Sequence, residues 1–251
     1  MKTSLLLKLR GLLDSTSHFG GALTVLHKLT GKARVGRRAV RRLEQWMGLY
    51  TDHRTRAFDR EYGTDTYERA HLADIEIKGG FDPAFGTWMY GPVNQDFFRE
   101  MMRALPVSLA DYGFYDVGAG KGLALMLASE HPFQELVGIE FSPPLVDAGK
   151  KNVAIFEKAT GRRLAVAWVC DDFMRHALPP RPALFFMNAP FPPDIAERAV
   201  RHVEASIAAH PRKVVLLYRK PHGDTVRVMD ASPHLTLLKA SPYWRAYASK
   251  H

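Results

Sequence analysis

The sequence predicts an α/β protein: a mostly parallel sheet with helices on both faces, behind a helical N-terminal extension. Three observations predict it. The stretch Phe114–Ser129 reads as a short apolar strand, then a turn with glycine at alternate positions (Gly118, Gly120, Gly122), then an apolar helical segment. Further apolar runs of strand length follow it, and each ends in polar or acidic residues. Charge is also segregated: residues 1–60 hold 13 Lys and Arg against 4 Asp and Glu, while the remainder holds 22 of each sign, so the whole net charge of +9 lies on the extension. The length of 251 residues fits one domain plus that extension, divided at residues 1–60 and 61–251.

In chain order, Leu5, Leu6, Leu9, Leu12 and Leu13 share one helical face, with Lys2, Lys8 and Arg10 mostly elsewhere. Such a helix can lie on an anionic membrane or pack on the main domain. Ser15–Gly21 is turn-like and a second helix is expected over 22–29. Lys28, Lys32, Arg34, Arg37, Arg38, Arg41 and Arg42 follow with no acid among them, above an apolar stripe of Val35, Ala39, Val40, Leu43, Trp46 and Met47. Residues 28–42 can therefore meet the phosphates of nucleic acid or of an anionic membrane surface, or form a solvated helix face. No module signature for nucleic acid accompanies them. Phe58–Thr66 reads as a loop entering the domain, and a helix is expected over Val93–Ala104.

The glycine stretch gives the first chemical indication. Glycines at a strand-to-helix turn let a ligand approach the backbone and allow φ > 0, and the helix that follows offers unpaired N–H groups. The dinucleotide fingerprint G-x-G-x-x-G would need glycine at 123, which is Leu123; the spacing here is Asp116-x-Gly118-x-Gly120-x-Gly122. The next run, Leu136–Glu140, ends in an acid eighteen residues after Gly122, where a carboxylate can accept from both hydroxyls of a ribose. A third run, Leu164–Cys170, ends in Asp171-Asp172-Phe173, and a fourth, Ala183–Met187, in Asn188-Ala189-Pro190-Phe191. Beyond it, a helix is expected over Pro193–His210 and a strand over Lys213–Arg219. Two more strands, Leu235–Ala240 and Tyr243–Ala248, are joined by a tight Ser-Pro turn.

This series of strand ends resembles the class I, seven-β-strand S-adenosyl-L-methionine-dependent methyltransferases, over roughly Tyr90–Tyr247. It is most similar to a bacterial group with F-D-x-x-Y-G upstream and D-x-G-x-G-K-G at its first motif, matched here by Phe58, Asp59, Tyr62 and Gly63 and by Asp116–Gly122. The resemblance implies a Rossmann-like sheet of seven strands, mostly parallel, with one antiparallel hairpin strand at the C-terminal edge. It implies S-adenosyl-L-methionine as cofactor, held by Asp116, Gly118, Ala119, Gly120, Gly122, Glu140 and Phe141. Asp171 or Asp172 meets adenine, Phe173 its ring, and Asn188 the methyl-transfer end. Tyr90 and Pro92 match a Tyr-x-Pro element that closes over the cofactor, with Val93 where Thr is frequent. Lys121 can reach the cofactor carboxylate, a substrate anion or solvent.

Asn188–Phe191 resembles the N-P-P-[FY] motif of enzymes that methylate planar amino groups, in which the Asn accepts from the amine and the aromatic stacks on it. Ala189 replaces its first Pro, so a plain turn after the fourth strand is the alternative. On this resemblance Asn188, Tyr90 and Phe191 are the candidate catalytic residues. The expected reaction is in-line methyl transfer to a protein side chain or small molecule, which needs alignment rather than a triad or a metal. The alternatives are a nucleic-acid methyltransferase docked by the basic segment, and an inactive cofactor-binding module.

Other chemistry is disfavoured. The single cysteine, Cys170, excludes an intrachain disulfide and a cysteine zinc site, and reads as a small hydrophobe at a strand end. The eleven histidines show no metal-binding spacing, so no metal is expected. No apolar run reaches membrane-spanning length, and Lys8 and Arg10 interrupt the only leader-like stretch. A cytoplasmic protein is expected, with peripheral membrane attachment left open by the leucine face.

Overall fold

The computed structural model describes residues 52–67, 70–71, 89–188, 191–221, 223–241 and 243–250. The two helices and the basic segment expected within residues 1–47 lie outside the described residues.

The described chain begins in a helix, α1 (52–62), so the loop expected over Phe58–Thr66 starts only at Gly63 (φ +78°). The reason is packing. Phe58 and Tyr62 share a helical face, and their rings form a trio with Phe156 at centroid distances of 4.7, 5.6 and 4.8 Å. Asp59 then folds the turn that follows. Its carboxylate accepts from the hydroxyls of Thr64 and Thr66 and from the backbone N–H groups of Thr66 and Tyr67, at 2.7–3.0 Å.

A two-residue ladder joins β1 (Ala70–His71) to β2 (Met89–Tyr90). Helix α2 (Gln95–Ala104) is capped by Asn94, whose side chain accepts from the N–H groups of Asp96 and Phe97, both at 3.0 Å. The main sheet then forms around β3 (Gly113–Val117), followed by the short helix α3 (Leu123–Ala128), β4 (Leu136–Glu140), α4 (Pro143–Thr160) and β5 (Val166–Cys170). After these come β6 (Ala183–Asn188), α5 (Pro193–Ala209), β7 (Val214–Arg219), α6 (Gly223–Asp230), β8 (Leu235–Ala240) and β9 (Trp244–Ser249). The Ser-Pro turn before β9 is held by Ser241, whose hydroxyl accepts from the N–H groups of Tyr243 and Trp244.

Strand order is β5-β4-β3-β6-β7-β9-β8, parallel from β5 to β7, with β9 antiparallel to both neighbours. This is the seven-stranded, mostly parallel α/β sheet expected. The central strands are covered on both faces, which is why they read as unbroken apolar runs. One core packs α2, α3 and α4 on one face through Phe98, Met101, Phe114, Leu125, Phe156, Phe186 and Leu217. The other packs α5 on the opposite face through Val117, Ile139, Phe185, Val200, Val203 and Leu216. Helix α3 is buried along its whole length and accordingly carries only Leu, Ala and Met. No described helix is long and apolar enough to cross a membrane.

Candidate functional site

From β3 the chain moves outward through β4 and β5, then returns to pair β6 with the other side of β3. Strand order reverses at β3, and in open α/β sheets ligands bind at such a reversal, outside the carboxyl ends of the strands. The glycine loop sits at this point. All three predicted glycines have positive φ: +77° at Gly118, +52° at Gly120 and +85° at Gly122. The N–H groups of Gly118 and Ala119 both donate to the Ile139 carbonyl, at 2.9 and 3.0 Å, which folds the loop back over β4.

Glu140 completes the loop. Its Oε2 accepts from Gly120 N–H at 2.9 Å and its Oε1 from Ser142 N–H at 3.0 Å, with Phe141 N–H as a further donor. These bonds favour the ionised form, yet burial outweighs them and raises its pKa to about 7. Asp116, 3% exposed, is raised further, to about 8, by burial and then by the Glu140 charge. Alternation along the strands puts Asp116 and Glu140 on the face covered by α2, α3 and α4. Asp116 forms no ion pair among the described residues. The result is two buried carboxylates where the strand order reverses, with no cation beside Asp116 among the described residues, an arrangement that suits a positively charged ligand group.

Lys121 is buried, and its ammonium donates to Asp65 at 3.0 Å. Asn152 of α4 secures the same junction. Its Oδ1 accepts from Asp65 N–H at 2.9 Å, and its Nδ2 donates to the Asp65 and Lys121 carbonyls at 3.0 and 3.1 Å. The sequence assigns Asn152 no role, and Asp59 only a place in the upstream F-D-x-x-Y-G match. The pattern Asp59, Gly63, Thr64, Thr66 is nevertheless a legible helix stop followed by a side-chain-capped turn.

The remaining predicted residues separate into two groups. Ala119 and Phe141 flank the loop and Glu140 as expected. Asp171 and Asp172 follow β5, and Asp172 is engaged by its own turn: its Oδ1 accepts from Met174 N–H and its carbonyl from the N–H groups of Arg175 and His176. Phe173 and Phe191, in contrast, lie in the core of the α5 side. Phe173 packs on Phe185, Phe191 and His202, at centroid distances of 6.2, 6.4 and 5.3 Å. Burial of both rings against α5 takes them to the face opposite Asp116 and Glu140. Tyr90 pairs with Ala70 in the small ladder, and its side chain lies outside the described part. Cys170 is half-buried at the end of β5, in register with Glu140.

Asn188 ends β6 on the face of Asp116, in register with Arg219 of β7. Its Oδ1 accepts from Arg219 Nη1 at 2.9 Å and its Nδ2 donates to the Gly91 carbonyl at 3.4 Å. A guanidinium only donates, so Arg219 fixes which end of this amide is oxygen. Arg219 escaped the sequence reading, in which it was simply the end of an apolar strand.

No family model matches the chain, and no curated protein matches it. Among solved structures it is similar to an RNA methyltransferase from Salinibacter ruber in complex with S-adenosyl-L-homocysteine, at 18% identity and a TM-score of 0.42, covering 63% of this chain and 92% of that one. It is similar also to magnesium protoporphyrin IX methyltransferase from Synechocystis PCC 6803 with bound SAM, at 14% identity and a TM-score of 0.43, covering 67% and 88%. A third is an N6-adenine-specific DNA methylase predicted for Listeria monocytogenes, at 11% identity and a TM-score of 0.47, covering 63% of this chain and 51% of that one.

Proposed function

We propose that this protein is an S-adenosyl-L-methionine-dependent methyltransferase acting on a small molecule or a protein side chain. One observation carries the reading: the buried Asp116–Glu140 pair behind a three-glycine loop at the point where strand order reverses, with no cation beside Asp116 among the described residues. The cofactor fits these residues. Its ammonium suits Asp116, its ribose hydroxyls suit the remaining lone pairs of Glu140, and its backbone contacts suit the glycine loop.

When bound, the cofactor supplies an electrophilic methyl group on a sulfonium: the acceptor's lone pair forms the new bond while the carbon–sulfur pair returns to a neutral thioether. The chain's task is alignment. Glu140 holds the loop closed, and Asn188, oriented by Arg219, presents an amide oxygen at the acceptor side. A proton carried by the acceptor leaves to solvent.

Calorimetry with S-adenosyl-L-methionine and S-adenosyl-L-homocysteine tests the reading. Micromolar binding of both is expected, and absence of both from ligand-stripped protein would overturn it. Asn188→Ala should leave both affinities intact while slowing turnover of labelled cofactor with cell extract; unchanged turnover would remove Asn188 from the acceptor site.

A further inference from the structure

The arginines of the described chain find different partners: Arg212, buried without a carboxylate among the described residues, donates to the carbonyls of Arg181, Ser206 and His210 and to the Ser206 hydroxyl. Arg54, Arg99 and Arg181 each present the planar Nε/Nη2 edge to one carboxylate: Asp96 at 3.2 and 3.4 Å, Glu130 at 2.9 and 2.6 Å, Glu135 at 2.7 and 2.6 Å. Arg219 gives Nη1 to Asn188, but its Nε is buried with no hydrogen-bond partner among the described residues. No described carboxylate pairs with it, and burial pulls its pKa down to about 10, so it is still charged at neutral pH. A half-buried guanidinium whose Nε is shut off from water and which has no carboxylate partner among the described residues is costly, and an anionic ligand would offset that cost.

Its surroundings point the same way. Arg219 pairs directly with Trp244 of β9, which places the two side chains on one face. Trp244 is also buried, and its indole Nε1–H has no partner among the described residues. The Phe97 ring lies 5.5 Å from the guanidinium carbon and 5.8 Å from the ring of Tyr243. Two unmatched donors thus stand side by side in an aromatic setting, immediately beyond Asn188. Strands β3 and β7 are two positions apart, about 10 Å, so this edge lies on the far side of Asn188 from the glycine loop.

We propose that Arg219 is the specificity residue of the acceptor site and that the methyl acceptor is a carboxylic acid, its carboxylate seated on the Nε/Nη2 edge beside the Trp244 indole. The acceptor's nucleophilic atom, elsewhere on the same molecule, is then directed towards Asn188. A carboxylate is favoured over a phosphate because a single guanidinium offsets one negative charge; a dianion would leave an unmatched charge in a buried setting. This assignment rests on the methyltransferase reading for the word acceptor, but the anion site itself can be measured without the cofactor.

The test uses the full chain, wild type, Arg219→Gln and Arg219→Lys, with benzoate and inorganic phosphate as probes and S-adenosyl-L-homocysteine as a separate ligand. Wild type should bind benzoate more tightly than phosphate. Both variants should lose at least about tenfold in benzoate affinity, since Lys keeps the charge and lacks the fork. Homocysteine-ligand affinity should stay within about twofold, and the ligand-free Tm of Arg219→Gln should not fall, because an uncompensated charge has been removed. Benzoate binding absent from wild type, or equal in Arg219→Gln, would overturn the proposal. So would tighter binding of phosphate, or a fall in Tm together with loss of the homocysteine ligand, which would make Arg219 a support of the fold or of the cofactor. Benzoate binding through Arg219 without any homocysteine-ligand binding would keep the anion site and defeat the methyltransferase reading alone.

Discussion

The backbone N–H of Gly120 donates to Oε2 of Glu140 at 2.9 Å, so the acid at the end of β4 closes the loop that leaves β3. Glu140 therefore has two tasks: it holds the loop, and it keeps lone pairs for a ligand. Glu140→Ala should lower stability by about 2 kcal/mol, since the Gly120 and Ser142 amides lose a charged acceptor in a buried place. Chemical denaturation measures this. A variant as stable as wild type would mean that water replaces the carboxylate.

The buried acid pair makes ligand binding depend on pH. Burial raises Asp116 to about 8, so in the ligand-free protein it is mostly protonated at pH 6. A cationic ligand favours the ionised form. Affinity should thus rise from pH 6 to pH 8, by up to about tenfold per unit, and flatten above it. Calorimetry in buffers of different ionisation enthalpy should show proton release, which Asp116→Asn abolishes. Stability of the ligand-free protein runs the other way. The folded-state pKa lies above the unfolded value near 4, so the contribution is full below that value and is lost as pH rises towards about 8.

Trp168 of β5 fills a space left by three glycines. A Cβ at Gly149 would lie 2.3 Å from its ring, one at Gly138 3.0 Å and one at Gly122 3.2 Å. Gly149→Ala should therefore destabilise by about 1–3 kcal/mol through overpacking. Trp168→Leu in the same chain should recover a good part of that loss, and additive losses in the double variant would disprove the coupling.

Asn152 and the Lys121–Asp65 ion pair join the 63–67 turn to the glycine loop with unequal strength. Asp65 has a side chain 63% exposed, so Lys121→Met should cost no more than about 1 kcal/mol. Asn152 is buried and makes three hydrogen bonds, so Asn152→Ala should cost about 1–3 kcal/mol and speed amide exchange at residues 63–67. Equal effects from the two variants would contradict this ranking.

The sheet was legible because β3, β4, β6 and β7 are buried on both faces and therefore print as apolar runs with polar ends. Three helices were not. In α1 only Thr55 and Phe58 are buried, with Tyr62 partly so, leaving too sparse a stripe among charged residues. Helix α6 is eight residues long with Thr225 and Met229 as its buried positions. For α4 the signal was present and unread: Ser142 before Pro143 and Pro144 is a cap followed by first-turn prolines, and Gly161 ends the helix. At the candidate site, residue types at strand ends marked Asp116, the glycines and Glu140, which the fold brings together where the strand order reverses. They did not show that Glu140 binds backbone amides, because those partners carry no side-chain signature. The packing of Phe173 and Phe191 was not legible for a related reason: an aromatic after a strand end serves a ligand or a core equally well, and the sequence carries no sign of the contacts on the α5 side.

Strand β9 follows β8 in the chain, yet lies between β7 and β8 in the sheet. During synthesis the outer edge of β7, Val-Val-Leu-Leu-Tyr-Arg, thus has to wait for residues 244–249 before it gains a neighbour. Any folding intermediate in which residues 244–249 have not yet docked leaves that apolar strand edge open, an aggregation hazard that the finished fold hides.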